Sequence, residues 1–134
     1  MTPTIAYTII CDDVRIENNG KQILIGVYAD GIILTHLPVV LRLVLWVEVR
    51  NIPSGITRLQ FQALSNEDPT PLFKSDGELQ SESAVDMAHL SIPMPVKFQS
   101  TGTLVIQMRA SAEADWDTIK TVKVSMINPE SVPT

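Results

Sequence analysis

Between Val40 and Arg50 the odd positions Leu41, Leu43, Leu45, Val47 and Val49 are all apolar, while the even positions mix Arg42, Glu48 and Arg50 with Val40, Val44 and Trp46. A period of two places the odd set on one face of an extended strand. Burial of each such side chain stabilises by about 1.5–3 kcal/mol, so this strand is expected at the centre of a sheet. The same alternation recurs from Thr57 to Leu64, with Leu59, Phe61 and Ala63 inward and Arg58, Gln60 and Gln62 outward. It recurs again from Val85 to Ile92, from Thr103 to Ala110 and from Trp116 to Ile127. One wet face and one dry face is the signature of antiparallel sheets.

The first strand is expected from Ile5 to Glu17, followed by Asn18-Asn19-Gly20-Lys21. Asn-Gly between extended apolar runs predicts a two-residue type I′ hairpin. That register sets Ile16 opposite Ile23 and Val14 opposite Ile25 on an almost wholly apolar face. Asp12 then falls on the apolar face opposite Val27, where an unpaired carboxylate is costly. A β-bulge turning it outward, backbone N–H donors from a neighbouring loop, or a polar cleft with Asp13 and Tyr28 would each resolve this. Asp30-Gly31 and the Pro53-Ser54-Gly55 stretch mark turns, and Ser65–Pro71 an exposed loop. A weak hairpin is expected about Ser75-Asp76-Gly77-Glu78. Pro93-Met94-Pro95 fits only a sheet edge or a crossing between sheets, since proline donates no ladder hydrogen bond.

No stretch sustains a helical period. About eight strands separated by Gly, Pro, Asn and Asp turns predict an all-β chain, an antiparallel β-sandwich of immunoglobulin-like or C2-like kind. Residues 1–128 are expected to form a single domain and 129–134 a flexible tail.

Composition narrows the classes further. The 134 residues carry a net charge of −5, which argues against nucleic-acid binding. Cys11 is the single cysteine, so no intrachain disulfide forms, and no secretion-type n-region precedes Ile5. A cytoplasmic location is expected. The apolar run from Gln22 to Leu41 contains Asp30, His36, Pro38, Gly26 and Gly31, so two strands and a turn explain it better than a membrane span.

Ile10-Cys11-Asp12-Asp13-Val14-Arg15, then Gly20-Lys21, then Leu24-Ile25-Gly26-Val27-Tyr28 resembles the opening of an uncharacterised bacterial and phage family, a domain of unknown function. Pro38 before the next strand, Gly102 and Trp116 are also similar. The resemblance covers most of the chain and is closest in this opening. It implies a small soluble β-sandwich and no particular activity.

Candidate chemistry is sparse. His36 and His89 lack the ligand spacing of a zinc site, and neither Asn66-Glu67-Asp68 nor Asp76-Gly77-Glu78 carries an EF-hand series. No metal and no cofactor are expected. Cys11 has no recognisable catalytic signature around it and reads as a small apolar filler. Asp12-Asp13 is the first choice for a carboxylate pair. The second face of the central strand carries Arg42, Trp46, Glu48 and Arg50. A tryptophan flanked by arginines resembles an interface hot spot, unless a loop or crossing strand covers it. A non-catalytic module acting through protein contacts, including self-association, is therefore expected. The alternatives are a small-ligand or carbohydrate-binding sandwich with Asp12 near Tyr28, and a hydrolase using carboxylates or Cys11.

Overall fold

The computed structural model describes residues 3–65 and 68–127. Every regular element among them is a strand: β1 (Thr4–Cys11), β2 (Asp13–Ile16), β3 (Gln22–Ile25), β4 (Ile32–Leu34), β5 (Val39–Ile52), β6 (Gly55–Ser65), β7 (Asp68–Ser81), β8 (Val85–Phe98), β9 (Gly102–Arg109) and β10 (Asp117–Met126). They form a three-stranded sheet β1-β5-β8, a five-stranded sheet β4-β10-β9-β6-β7 and a two-stranded sheet β2-β3. All pairings are antiparallel except β4 with β10. The five-stranded sheet curls as a half-barrel. No helix of the described residues is long and apolar enough to cross a membrane.

β5 is the middle strand of its sheet, and Leu43, Leu45, Val47 and Val49 are buried in the core. Across from them stand Leu59, Phe61 and Ala63 of β6, Leu104, Ile106 and Met108 of β9, and Val122 and Val124 of β10, all in one apolar cluster. β8 contributes Ile92, Met94, Val96 and Phe98. Its Pro93 and Pro95 lie opposite Val44 and Arg42, on the edge strand that their missing N–H groups require.

Several sequence expectations are corrected. The expected eight strands are ten. The first long strand breaks at Asp12 into β1 and β2. The 18–20 turn is a three-residue loop: Gly20 N–H donates to Glu17 O at 2.9 Å, Glu17 N–H to Lys21 O at 2.8 Å, and Gly20 has φ 85°. Asn19 does not take the positive φ that a type I′ turn demands. The register therefore slips by one residue, setting Ile16 opposite Gln22 and Val14 opposite Leu24. A slip of one reassigns every cross-strand partner. The hairpin expected about residues 75–78 is absent, because β7 runs straight through them. Gly77 points inward and is buried, close enough to Phe61 and Leu90 that a Cβ would meet them at 3.2 and 3.3 Å. The loop expected at 65–71 is mostly strand: Ser65 ends β6 and Asp68–Pro71 open β7, with Ser65 paired to Asp68. Asn66 and Glu67, and the tail 129–134, lie outside the described residues.

Candidate interaction face

β5 turns Arg42, Val44, Trp46, Glu48 and Arg50 away from the core. Register brings Tyr7 of β1 and His89 of β8 to either side of Glu48, and Ile9 and Ser91 to either side of Trp46. The Trp46 and His89 rings stack with centroids 4.6 Å apart and planes at 22°. Such aromatic pairs add about 0.5–1.5 kcal/mol beyond area burial.

Glu48 is the anchor of this face. Arg50 donates from Nε at 3.2 Å and Nη2 at 2.9 Å to Glu48 Oε2. His89 Nε2 lies 3.2 Å from Glu48 Oε1. The Arg50 hydrogen bonds, with a smaller contribution from His89, hold the Glu48 carboxyl below the usual carboxylate range despite its burial. An ionised carboxylate only accepts, so the His89 contact needs a proton on Nε2. With both oxygens engaged, Glu48 serves as a brace for the strand pair.

The β2–β3 hairpin folds over part of the same face. Trp46 Nε1 donates to Gln22 Oε1 at 2.6 Å, and Val14 and Leu24, on the same side as Gln22, are half-buried. Trp46 is thus neither bare nor sealed. Arg42 and Arg50 remain exposed at the rim. Cys11 faces Val44 on this outer side, yet its side chain is fully buried where the hairpin crosses. Burial pushes the Cys11 thiol up, and its Sγ neighbours are the carbonyl oxygens of Asp13 at 3.5 Å and Val44 at 3.9 Å. Neither is a base able to activate it.

Asp12 sits in the break between β1 and β2 and is exposed. Its N–H is shared between Ile25 O at 2.9 Å and Gly26 O at 3.2 Å, and its Oδ1 accepts from Tyr28 Oη at 2.6 Å. Gly26, at φ 70°, abuts the Asp12 carboxylate so closely that a Cβ would overlap it. Tyr28 N–H donates to Ile10 O at 2.9 Å, which closes the base of the hairpin. Burial first, and the Asp12 hydrogen bond second, push the Tyr28 phenol up to about 12. Asp13 turns elsewhere: its Oδ1 accepts from Val14 N–H at 2.9 Å and its Oδ2 lies 3.5 Å from Arg15 Nε. The two neighbouring carboxylates therefore act separately.

Among the described residues no group of three or more His, Cys, Asp or Glu is placed to hold a metal ion. His36 Nδ1 lies 3.1 Å from Oγ1 of its neighbour Thr35. Asp76-Gly77-Glu78 is strand, not a ligand loop.

Sequence reasoning found Trp46, Glu48 and the arginines but missed His89 and Gln22. Both join the face through pairings across 41 and 24 residues, and no local spacing signals them. No protein-family model matches the chain, and no curated protein shows significant similarity to it.

Proposed function

We propose that this protein is a non-catalytic β-sandwich module, immunoglobulin-like or C2-like, that works through protein–protein contacts on the Trp46 face and its hairpin, with a second copy of the chain as the partner. The sandwich reading is supported by one core cluster drawn from both large sheets. The single observation that carries the functional reading is the exposure of the hairpin's aliphatic side chains. Ile23 and Ile25 share the outward face of β3 at 42% and 39% exposure, Val27 follows, and Ile16, on the Gln22 side of the hairpin, is 70% exposed near its turn. Contiguous exposed apolar groups rimmed by polar ones mark interaction surfaces. Arg15, opposite Ile23, and Glu17 beside the turn are the exposed polar groups next to these aliphatic side chains. Against a catalytic reading stand the engaged state of Glu48 and the Cys11 thiol's contacts with two backbone carbonyl oxygens.

Sedimentation velocity across a concentration series tests this. The wild-type protein is expected to associate, and the double variant Ile23→Glu/Ile25→Glu to stay monomeric with its melting temperature unchanged. A wild-type chain that remains monomeric at the highest concentration would overturn the reading.

A further inference from the structure

The outward face of the five-stranded sheet carries a second surface, remote in the topology from Trp46. Two polar rows cross it. In the first, Asp76 of β7 lies opposite Gln60 of β6, which lies opposite Arg109 of β9. In the second, Lys74, Gln62, Gln107 and Thr118 line up across β7, β6, β9 and β10. Gln62 Nε2 donates to Gln107 Oε1 at 2.7 Å, and Gln107 Nε2 to Thr118 Oγ1 at 3.3 Å. Arg109 Nε donates to Gln60 Oε1 at 2.6 Å, and its guanidinium lies 4.2 Å from the centre of the Trp116 ring. Trp116 is the wall at the end of the first row.

Two open clefts meet here, and both are lined by Gln60 and Asp76. One, of about 220 Å³, runs to Trp116 and Lys74. The other, of about 560 Å³, runs beneath the 110–112 turn to Arg58 and Glu78. We infer that this groove binds a short neutral oligosaccharide, seated on the Asp76–Gln60 row against Trp116.

Three observations select that class of ligand. First, two of the groove's three cations are occupied: Arg58 Nε lies 3.4 Å from Glu78, and Arg109 is held by Gln60 and the Trp116 ring, which leaves Lys74 as the one without a side-chain partner among the described residues. A phosphate backbone needs free cations, and the chain is net acidic. Second, although β7 is the outer strand of its sheet, the row's polar groups are side chains on the sheet face, and side chains rather than a backbone ladder favour a ligand rich in hydroxyls. Third, what it does offer suits hydroxyl groups. The Asp76 carboxylate makes no hydrogen bond or ion pair among the described residues and only accepts, while the Gln60 amide nitrogen is left to donate. Polar groups with fixed directions beside a large aromatic wall match a ring that has both hydroxyls and an apolar face.

The test is a ¹⁵N–¹H titration of the full chain with cello-, xylo-, chito- and malto-oligosaccharides, and with a heparin-derived oligosaccharide as the anionic comparison. At least one neutral sugar is expected to give saturable shifts at Gln60, Asp76 and residues 110–116. Asp76→Ala, Gln60→Ala and Trp116→Ala should each weaken that binding about tenfold, and Asp86→Ala, exposed on β8 of the other sheet, should leave it unchanged. Gln60 and Asp76 point outward, so their variants report even where Trp116→Ala unfolds. The inference is overturned by no saturable shift with any neutral sugar, by shifts confined to other surfaces, by binding of the anionic oligosaccharide alone, or by wild-type affinity in the Asp76 and Gln60 variants.

Discussion

Trp46 Nε1 and Gln22 Oε1 lie 2.6 Å apart, and this side-chain hydrogen bond pins the β2–β3 hairpin to the three-stranded sheet. The hairpin pairs with neither large sheet along its length. Among the described residues its other polar ties are backbone bonds at its base and the Tyr28–Asp12 pair, with Val14 and Leu24 half-buried on its inner side. An element held by so few contacts belongs to the low-stability end of the molecule.

Gln22→Ala should therefore loosen the hairpin selectively. A loss of about 1 kcal/mol is expected in urea unfolding. Cys11 is the reporter, because its thiol is fully buried where the hairpin crosses. Its labelling by a thiol reagent should be slow in the wild type and roughly fivefold faster in the variant, which is what about 1 kcal/mol of easier opening produces. Equal labelling rates would show that the hairpin is not the cover.

Glu48 sets the acid limb. Its folded carboxyl titrates below the usual value, chiefly through Arg50 and then through His89. A depressed folded pKa gives stability that is present above the unfolded value and is lost as pH falls through the folded one. Glu48→Gln should flatten the fall in melting temperature below about pH 4.5 while leaving the slope above it unchanged. An unchanged acid slope would remove Glu48 from the stability of this face.

Tyr28 sets the alkaline limb with the opposite sign. Its phenol is pushed from 10.0 up to about 12, by burial and then by Asp12. A raised folded pKa gives stability that is full below the unfolded value and is lost as pH rises through the folded one. The wild type should lose stability between pH 10 and about 12, and Tyr28→Phe should not show that loss. The phenolate absorbance should show one tyrosine still protonated where an unperturbed phenol has ionised.

Gly26→Ala combines a positive φ with a clash. A non-glycine residue at φ 70° is strained, and its Cβ would overlap the Asp12 carboxylate. A destabilisation of about 1–3 kcal/mol is expected. It should shrink when Asp12→Ala removes the carboxylate, and a double-mutant cycle measures that coupling. Strict additivity would contradict the close approach.

The all-β class and the central role of β5 were legible because Leu43, Leu45, Val47 and Val49 repeat with the strand's own period. The prolines of β8 were legible as an edge, since a missing N–H has only one place in a sheet. The hairpin register was not. Asn18-Asn19-Gly20 supports a two-residue or a three-residue loop, and one residue of difference decides whether Ile16 meets Ile23 or Gln22. Asp76-Gly77 has the local composition of a turn, but packing of Phe61 and Leu90 against the bare glycine keeps β7 straight. Glu48 was visible as a polar member of the outer face. Its partner His89 was not, because the β5–β8 register that joins them is set by the core on the other side of the sheet.

The most direct test is amide hydrogen exchange of the intact protein, measured dilute and concentrated. Self-association through the hairpin face predicts that protection rises with concentration at residues 13–16 and 22–28 and not on the outward faces of β6 and β7. Exchange that is independent of concentration in the hairpin, or protection that rises only on the other sheet, would contradict it.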